Sequence, residues 1–295
     1  MTAHISSRTS HARVPGMIFN PDYLPALQSL GLDTPDAIYR FSGGTPVKQI
    51  PQRSIIRLDL PVDQNQVVPS PSLYLKRHTA TTPTMGQWLS GMIRNTGFSP
   101  GVSEFKAICD FQDSGLPTPV PVAAGERRLF GFQYESFLIT CGIEPFISLE
   151  TLIRHHPERI SEKIKKPLLT AIARLAKKMH DAGFNHLDFN ADHVMVGPEL
   201  EHGQIVLNLL DFQRIDRNQI MRFRWMIKTM AELFYSMPDP VFTDDDRVFM
   251  FEHYRGRPIH SKWDRFLLNW IMVKARRIGR HTEKIMAREK TGFRI

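Results

Sequence analysis

The chain has 295 residues, 42% of them hydrophobic and 23% charged, an ordinary globular composition long enough for two domains or one two-lobed unit. Two cysteines, Cys109 and Cys141, exclude a disulfide-stapled scaffold, and no apolar run approaches the ~18 residues needed to cross a bilayer. The net charge of +8 comes entirely from residues 251–295, where twelve Lys and Arg meet four Asp and Glu; such a segment suits nucleic acid, an anionic membrane face, an anionic substrate or a merely solvated helix face.

Residues 1–18 are polar, lack acidic side chains and read as a frayed start, and the absence of an apolar run in residues 1–13 argues against a secretory signal, so a cytoplasmic compartment is expected. Asp22 to Leu30 and Pro35 to Phe41 read as short helices, each followed by a glycine, Gly31 and Gly43. A strand pair follows. Ser54 to Leu60 alternates with Ile56, Leu58 and Leu60 on one face, and Ser72 to His78 sets Leu73 and Leu75 against Tyr74 and Lys76. Residues 61–71 make a turn-rich connection and 86–101 a glycine-bearing loop. Ser99-Pro100 opens a helix with serine as N-cap, Gly115 closes it, and Glu104 falls in its second turn. Val120 to Ala124 and Ser136 to Thr140 are two further strands.

From about residue 148 the period changes. Pro167 at a helix start, then Leu168, Ile172, Leu175 and Met179, describe an amphipathic helix ending at Gly183. Ile220, Phe223, Ile227, Met230 and Phe234 give a second. Ser261 with Asp264 resembles a capping box opening a third, with Trp263, Leu267 and Trp270 on one face, and the Met and aromatic positions of these helices read as core. Strands followed by helices point to an α+β arrangement with a boundary near residues 140–147.

The chemistry lies between Met179 and Asp216. A helix runs into Asn185-His186-Leu187-Asp188-Phe189-Asn190-Ala191-Asp192-His193, followed by a hairpin of two short apolar strands and Asp211-Phe212-Gln213. This order brings two carboxylates, Asp188 and Asp211, to neighbouring loop ends. The pattern suits phosphoryl transfer, in which one carboxylate accepts the proton of the attacking hydroxyl and the other holds magnesium. Taken singly, Lys76 is a solvated strand lysine, Glu104 a surface acid and Asp211 a strand-end cap, while His186, His193 and Asp188 have spacings that also serve zinc hydrolases.

The segment resembles the catalytic loop and metal-binding Asp-Phe-Gly of the protein-kinase-like superfamily, and most specifically the bacterial lipopolysaccharide kinases acting on core heptose or Kdo, whose loop has the form His-x-Asp-x-x-x-x-His. The likeness extends through Ser103-Glu104-Phe105-Lys106, Gly115-Leu116-Pro117-Thr118, Ala124-Gly125-Glu126-Arg127, Ile147-Ser148-Leu149-Glu150, Met179-His180-Asp181-Ala182-Gly183 and Leu210-Asp211-Phe212-Gln213-Arg214. The resemblance implies an α+β, two-lobed protein-kinase-like fold. Residues 19–141 would be a mainly antiparallel sheet with one helix, and 142–295 a mainly helical lobe.

The resemblance also implies roles: Asp188 as catalytic base, His186 fixing its loop, Asp211 and His193 on the metal side, Lys76 on the α- and β-phosphates and paired with Glu104, and backbone around Thr140, Cys141 and Gly142 as adenine hinge. Tyr74 would stack on the base or narrow its pocket. The implied cofactors are ATP and Mg²⁺, and the implied partner is a lipopolysaccharide core glycolipid at the cytoplasmic face of the inner membrane, touched by the basic C-terminal helix and Trp263 or Trp270; no nucleic acid is expected. The pattern departs from the wider superfamily in having Leu187 for the usual arginine, Gln213 for glycine, and only Ser42-Gly43-Gly44 as a phosphate-covering turn. Rival readings are a small-molecule kinase, a protein kinase and a catalytically inactive kinase-like binding module.

Overall fold

The computed structural model describes residues 11–60, 72–81, 99–129, 133–217, 220 and 222–290, which form two compact units, 1–144 and 145–295, the division falling three residues after the expected 141/142. The connection expected over 61–71 lies outside the described residues, as does the loop expected over 86–101 except for 99–101, where the helix has already begun at Pro100.

The first unit is a seven-stranded antiparallel sheet: β1 (Ala12–Val14), β2 (Met17–Phe19), β3 (Thr45–Ile50), β4 (Arg53–Asp59), β5 (Ser72–Thr81), β6 (Pro121–Arg128) and β7 (Tyr134–Cys141), in the order β1-β2-β6-β7-β5-β4-β3. The start expected to fray to residue 18 is therefore structured from residue 12, because Met17 and Phe19 are buried and β2 pairs with β6 through Met17↔Gly125 and Phe19↔Ala123. Helices α1 (Leu24–Ser29) and α2 (Pro35–Arg40) cover one face of the sheet, contributing Ala26, Leu27 and Ile38 to a core that includes Leu58, Leu73, Leu75, Phe137 and Ile139. Helix α3 (Pro100–Asp113) packs against β5, β6 and β7. Its start differs in detail from the expected serine cap: the Ser99 hydroxyl makes no capping bond, and the Ser136 hydroxyl instead accepts from the Gly101 N–H at 3.1 Å. Ser42-Gly43-Gly44 lies at the open end of the β3–β4 hairpin, whose tight turn is Pro51-Gln52. A Cβ at Gly44, with φ of +84°, would sit 2.6 Å from the Arg57 carbonyl.

The second unit is mainly helical, with α4 (Leu149–His155), α5 (Glu162–Asp181), α6 (Arg222–Ser236), α7 (Asp244–Arg255) and α8 (Lys262–Lys290). Short ladders carry the loops between them: β11 (Leu207–Leu209) pairs with β10 (Val194–Val196), which pairs with β8 (Ile147–Ser148), and β12 (Ile215–Asp216) pairs with β9 (Asn185–His186). Helix α5 begins five residues before Pro167, which sits inside it; lacking an N–H, Pro167 leaves one i→i−4 bond unmade without stopping the helix. Helix α6 starts after Ile220, which is 93% exposed, and of its expected face only Ile227, Met230 and Phe234 are buried. Helix α7 opens on a capping box, Thr243 with Asp246. Ser261 and Asp264 close on each other at the start of α8, the hydroxyl donating to Oδ2 at 2.8 Å and accepting the Asp264 N–H at 3.0 Å. The core reading of α8 is corrected: Leu267, Ile271 and Ala275 are buried, whereas Trp263, Phe266, Trp270 and Val273 are about half exposed.

Candidate active site

In the first unit, strand alternation puts Tyr74 and Lys76 on the face opposite buried Leu73 and Leu75. The Lys76 ammonium donates to both Glu104 oxygens, at 2.7 and 3.0 Å, and the Glu104 side chain is 3% exposed. A carboxylate this deep is tolerated because its partner is there to neutralise it. The Tyr74 hydroxyl donates to Glu144 Oε1 at 2.5 Å and the Ser72 hydroxyl to Oε2 at 2.9 Å. Burial, then the bond to Glu144, pushes the Tyr74 phenol up to about 12. Burial by itself would raise the Glu144 carboxyl, but the bonds from Tyr74, its own backbone and Ser72, with Arg57 nearby, hold it below its ordinary value. Gly142 is required here, since a Cβ would meet the Ser72 hydroxyl at 2.1 Å and the Glu144 carboxylate at 2.2 Å.

The expected hinge is partly consumed by the fold. The Cys141 N–H donates to Val120 O and the Gly142 N–H to Ser72 O, and the Cys141 thiol is buried in the sheet core beside Tyr23, pushed up to about 11 by that burial. Thr140 is a strand residue opposite Tyr74. Ile143 keeps an amide N–H that makes no hydrogen bond among the described residues.

In the second unit two ladders set the loop ends. The β9–β12 pairing, extended by the Leu187 N–H to Arg214 O bond of 2.9 Å, puts Arg214 beside Asp188, and Arg214 Nη1 donates to Asp188 Oδ1 at 2.7 Å. The β10–β11 hairpin, continued by the Leu210 N–H to His193 O bond of 3.0 Å, puts His193 beside Asp211. His193 Nδ1 donates to the Asp188 carbonyl at 2.8 Å, so in the neutral ring Nε2 carries the lone pair, 3.9 Å from Asp211 Oδ2. Asp211 has φ of +60°, a left-handed conformation that aspartate tolerates better than most residues and that is costly enough to mark a special position.

His186 lies between the two carboxylate loops. It is 1% exposed, its Nε2 donates to Leu210 O at 2.9 Å, and its Nδ1 accepts the Asp188 N–H at 3.2 Å. Both ring nitrogens are satisfied in the neutral form, and burial pushes the ring down to about 4, against a smaller opposing effect of the Leu210 bond. His186 is thus a spacer between loops. Asn190 ties the segment further, its Oδ1 accepting the N–H groups of Asp192 and His193.

The structure brings Asp188, His186, His193 and Asp211 together in one unit, and Lys76, Glu104 and Tyr74 on one face of the other. Three features escaped the sequence reading: Glu144 as the partner of Tyr74, Arg214 as the partner of Asp188, and a set of charges near Asp188 on α6 and α8. Only Arg214 carried a local signal, its place three residues after Asp211. Among the described residues no group of three His, Cys, Asp and Glu side chains could hold a metal by itself, which disfavours a zinc-hydrolase set. Asp211 offers a hard carboxylate oxygen of the kind magnesium takes, with His193 Nε2 3.9 Å from it.

Comparison with known proteins identifies the family. The family model for the lipopolysaccharide kinase (Kdo/WaaP) family matches residues 90–254, more than half of the chain. The lipopolysaccharide core heptose(I) kinase WaaP of Pseudomonas aeruginosa PAO1 is 28% identical over 180 residues, 59% of this chain and 67% of the relative. The 3-deoxy-D-manno-octulosonic acid kinase of Xylella fastidiosa M12 is 28% identical over 155 residues, 50% of this chain and 57% of that one. A solved structure, WaaP in complex with acyl carrier protein, covers 88% of this chain and 98% of its own with a TM-score of 0.65 at 22% identity, a likeness of fold. With an antiparallel sheet and one paired Lys-Glu in the first unit, and the His-x-Asp-x-x-x-x-His loop in the helical second, the chain belongs to the lipopolysaccharide kinase (Kdo/WaaP) family.

Proposed function

We propose that this lipopolysaccharide kinase transfers the γ-phosphoryl group of ATP to a hydroxyl of an inner-core sugar, with Asp188 as the base. The observation that carries the reading is the state of Asp188. Arg214 holds Oδ1, the backbone N–H is anchored on His186, and Oδ2 makes no hydrogen bond among the described residues. A carboxylate fixed on one side and open on the other can orient an acceptor hydroxyl and take its proton as the oxygen attacks the γ-phosphorus and ADP departs. Asp211, with His193 beside it, would hold magnesium, which would supply positive charge to offset that of the phosphates. Lys76, kept extended by Glu104, offers its ammonium to the phosphates, and the free Ile143 N–H with neighbouring carbonyls reads adenine. Most of the catalysis comes from positioning and electrostatics.

The acceptor is lipid-linked, and α8 supports a peripheral contact with an anionic membrane at the cytoplasmic face. Phe223 stacks on Trp263, which stacks on Phe266, and Trp270 joins them, with centroids 5.4 to 6.3 Å apart. Farther along α8 the same face carries Arg277, Arg280 and Lys284, all exposed. Exposed indole rings beside cations suit the headgroup region, and no helix among the described residues is long and apolar enough to cross a membrane. The decisive experiment is Asp188→Asn, assayed with unphosphorylated core lipopolysaccharide and γ-labelled ATP. ATP binding is retained and transfer falls by at least about 10³-fold; substantial transfer refutes the assignment.

A further inference from the structure

We propose that Arg214, Lys228 and Lys274 form a subsite for the carboxylate of a sugar acid, holding it beside Asp188 as positioning residues for the acceptor. The inference rests on the acceptor reading above and adds residues and a chemical class to it.

Three elements of the second unit converge on this place. Arg214 comes from the turn between Asp211 and β12. Lys228 and Glu232 stand one turn apart on α6, and Lys274 lies on α8, which packs along α6 with Gly279 against the Tyr235 ring. Helix α6 is tied to the loop carrying Asp188 at both ends of this stretch, Trp225 donating to Asp216 Oδ2 at 2.8 Å and Ser236 accepting the Ala191 N–H at 2.9 Å, so Lys228 and Glu232 lie along the same side of the unit as the Arg214–Asp188 pair, and both also feel Asp188, Arg214 and Lys274 electrostatically. Burial lowers the Lys228 ammonium, and it raises the Glu232 carboxyl.

The cluster is not closed on itself. Lys228, Glu232 and Lys274 are half-buried, yet none of them makes a hydrogen bond or ion pair among the described residues. Arg214 spends one N–H on Asp188, and its side chain is 60% exposed with the rest of its fork unused. Three cations against two carboxylates leave one positive charge. Half-buried ammonium groups without partners are expensive unless a ligand supplies the missing anion. The planar fork of Arg214 favours a carboxylate bound in its plane, and the two lysines add charge from the helix side. A sugar held by its carboxylate on the outer edge of Arg214 presents its ring hydroxyls to the open oxygen of Asp188. Among core sugars this selects 3-deoxy-D-manno-octulosonic acid over a neutral heptose.

The test is equilibrium binding to the full chain, loaded with magnesium and a non-hydrolysable ATP analogue. The probes are a deacylated glycoside of 3-deoxy-D-manno-octulosonic acid, its methyl ester and a neutral heptoside. The wild type is expected to bind the acid at least tenfold more tightly than the ester or the heptoside. Lys228→Gln with Lys274→Gln should bring the acid down to the ester's affinity, whereas Lys228→Arg with Lys274→Arg should keep the preference. Nucleotide affinity should stay within twofold in all variants. Equal affinities for acid and ester in the wild type, no binding of either included, overturn the proposal. So does a preference that survives the glutamine variants, or a loss of nucleotide affinity in parallel, which would assign the cations to phosphates. Phosphoryl transfer is measured separately: acid preference without transfer to any core sugar strikes the kinase mechanism and leaves the subsite standing.

Discussion

Two buried histidines make the stability of the second unit depend on pH in a way that can be worked out in advance. His180 accepts from the Tyr254 hydroxyl at Nδ1, 2.7 Å, and donates from Nε2 to Asn185 Oδ1 at 3.3 Å; His186 has the same pattern with the Asp188 N–H and Leu210 O. In each ring a proton added at Nδ1 would face a donor, in His186 an N–H that has nowhere to turn. Burial pushes both rings from 6.5 down to about 4. Between those values the unfolded chain binds protons that the folded one refuses, so stability is full above pH 6.5 and is lost as the pH falls. From pH 6.5 to 5 the loss is about 1.5 kcal/mol per histidine and about 3 kcal/mol for both. His11, lowered mainly by burial, acts in the same sense. Urea titrations at intervals of pH, followed through Trp225, which is 2% exposed, would show the midpoint falling over this window, with His180→Gln shrinking the fall by about half. A midpoint constant from pH 6.5 to 5 would refute the claim that these rings are buried neutral.

Other expectations concern single sites. Lys76→Met strands a carboxylate that is 3% exposed, so it should cost about 3 kcal/mol of stability; Lys76→Met with Glu104→Leu should recover most of that in thermal unfolding while ATP binding stays weak. Asp211→Ala and Asp211→Gly should both abolish magnesium-dependent nucleotide binding. The φ of +60° should make the glycine variant the more stable by about 1 kcal/mol in denaturant titrations. Thr243→Ala removes the α7 capping box and should lower stability by about 1 kcal/mol without changing turnover. Trp263→Ala with Trp270→Ala should reduce sedimentation with anionic vesicles at low salt and leave transfer to a soluble, deacylated acceptor unchanged; unaltered sedimentation counts against the membrane face.

The elements that could be read from sequence were those whose signals are local. The Ser261/Asp264 box, the alternation of Leu73 and Leu75 with Tyr74 and Lys76, and the two carboxylate loops after a helix and a hairpin are set by spacings of two to five residues. Where the outcome depended on a neighbour far along the chain, the reading failed. A 3.6-residue period places Trp263, Leu267 and Trp270 within one broad arc but does not say which edge is covered. The covered stripe is Leu267, Ile271 and Ala275, leaving both tryptophans in solvent. Helix α7 begins in an aspartate run that looks like a loop until Thr243 and Asp246 cap each other. The two-residue ladder that delivers Arg214 to Asp188 is too short to have a period, and Ser136 caps α3 from 35 residues away.

A single imidazole spans the ends of two different strand ladders, with one nitrogen on the Asp188 amide and the other on the Leu210 carbonyl. The separation of the two carboxylate-bearing turns is therefore governed by bond lengths within an aromatic ring, which do not relax, and less by packing, which does. Displacement of either turn is transmitted to the other, and the pair behaves as one rigid mount. Helix α6 ties into this mount through Trp225, Thr229 and Ser236, which bond Asp216, Asn185 and the Ala191 N–H, so it is at the other positions of α6 and on α8 that changes retune which sugar is accepted while the reacting groups keep their alignment.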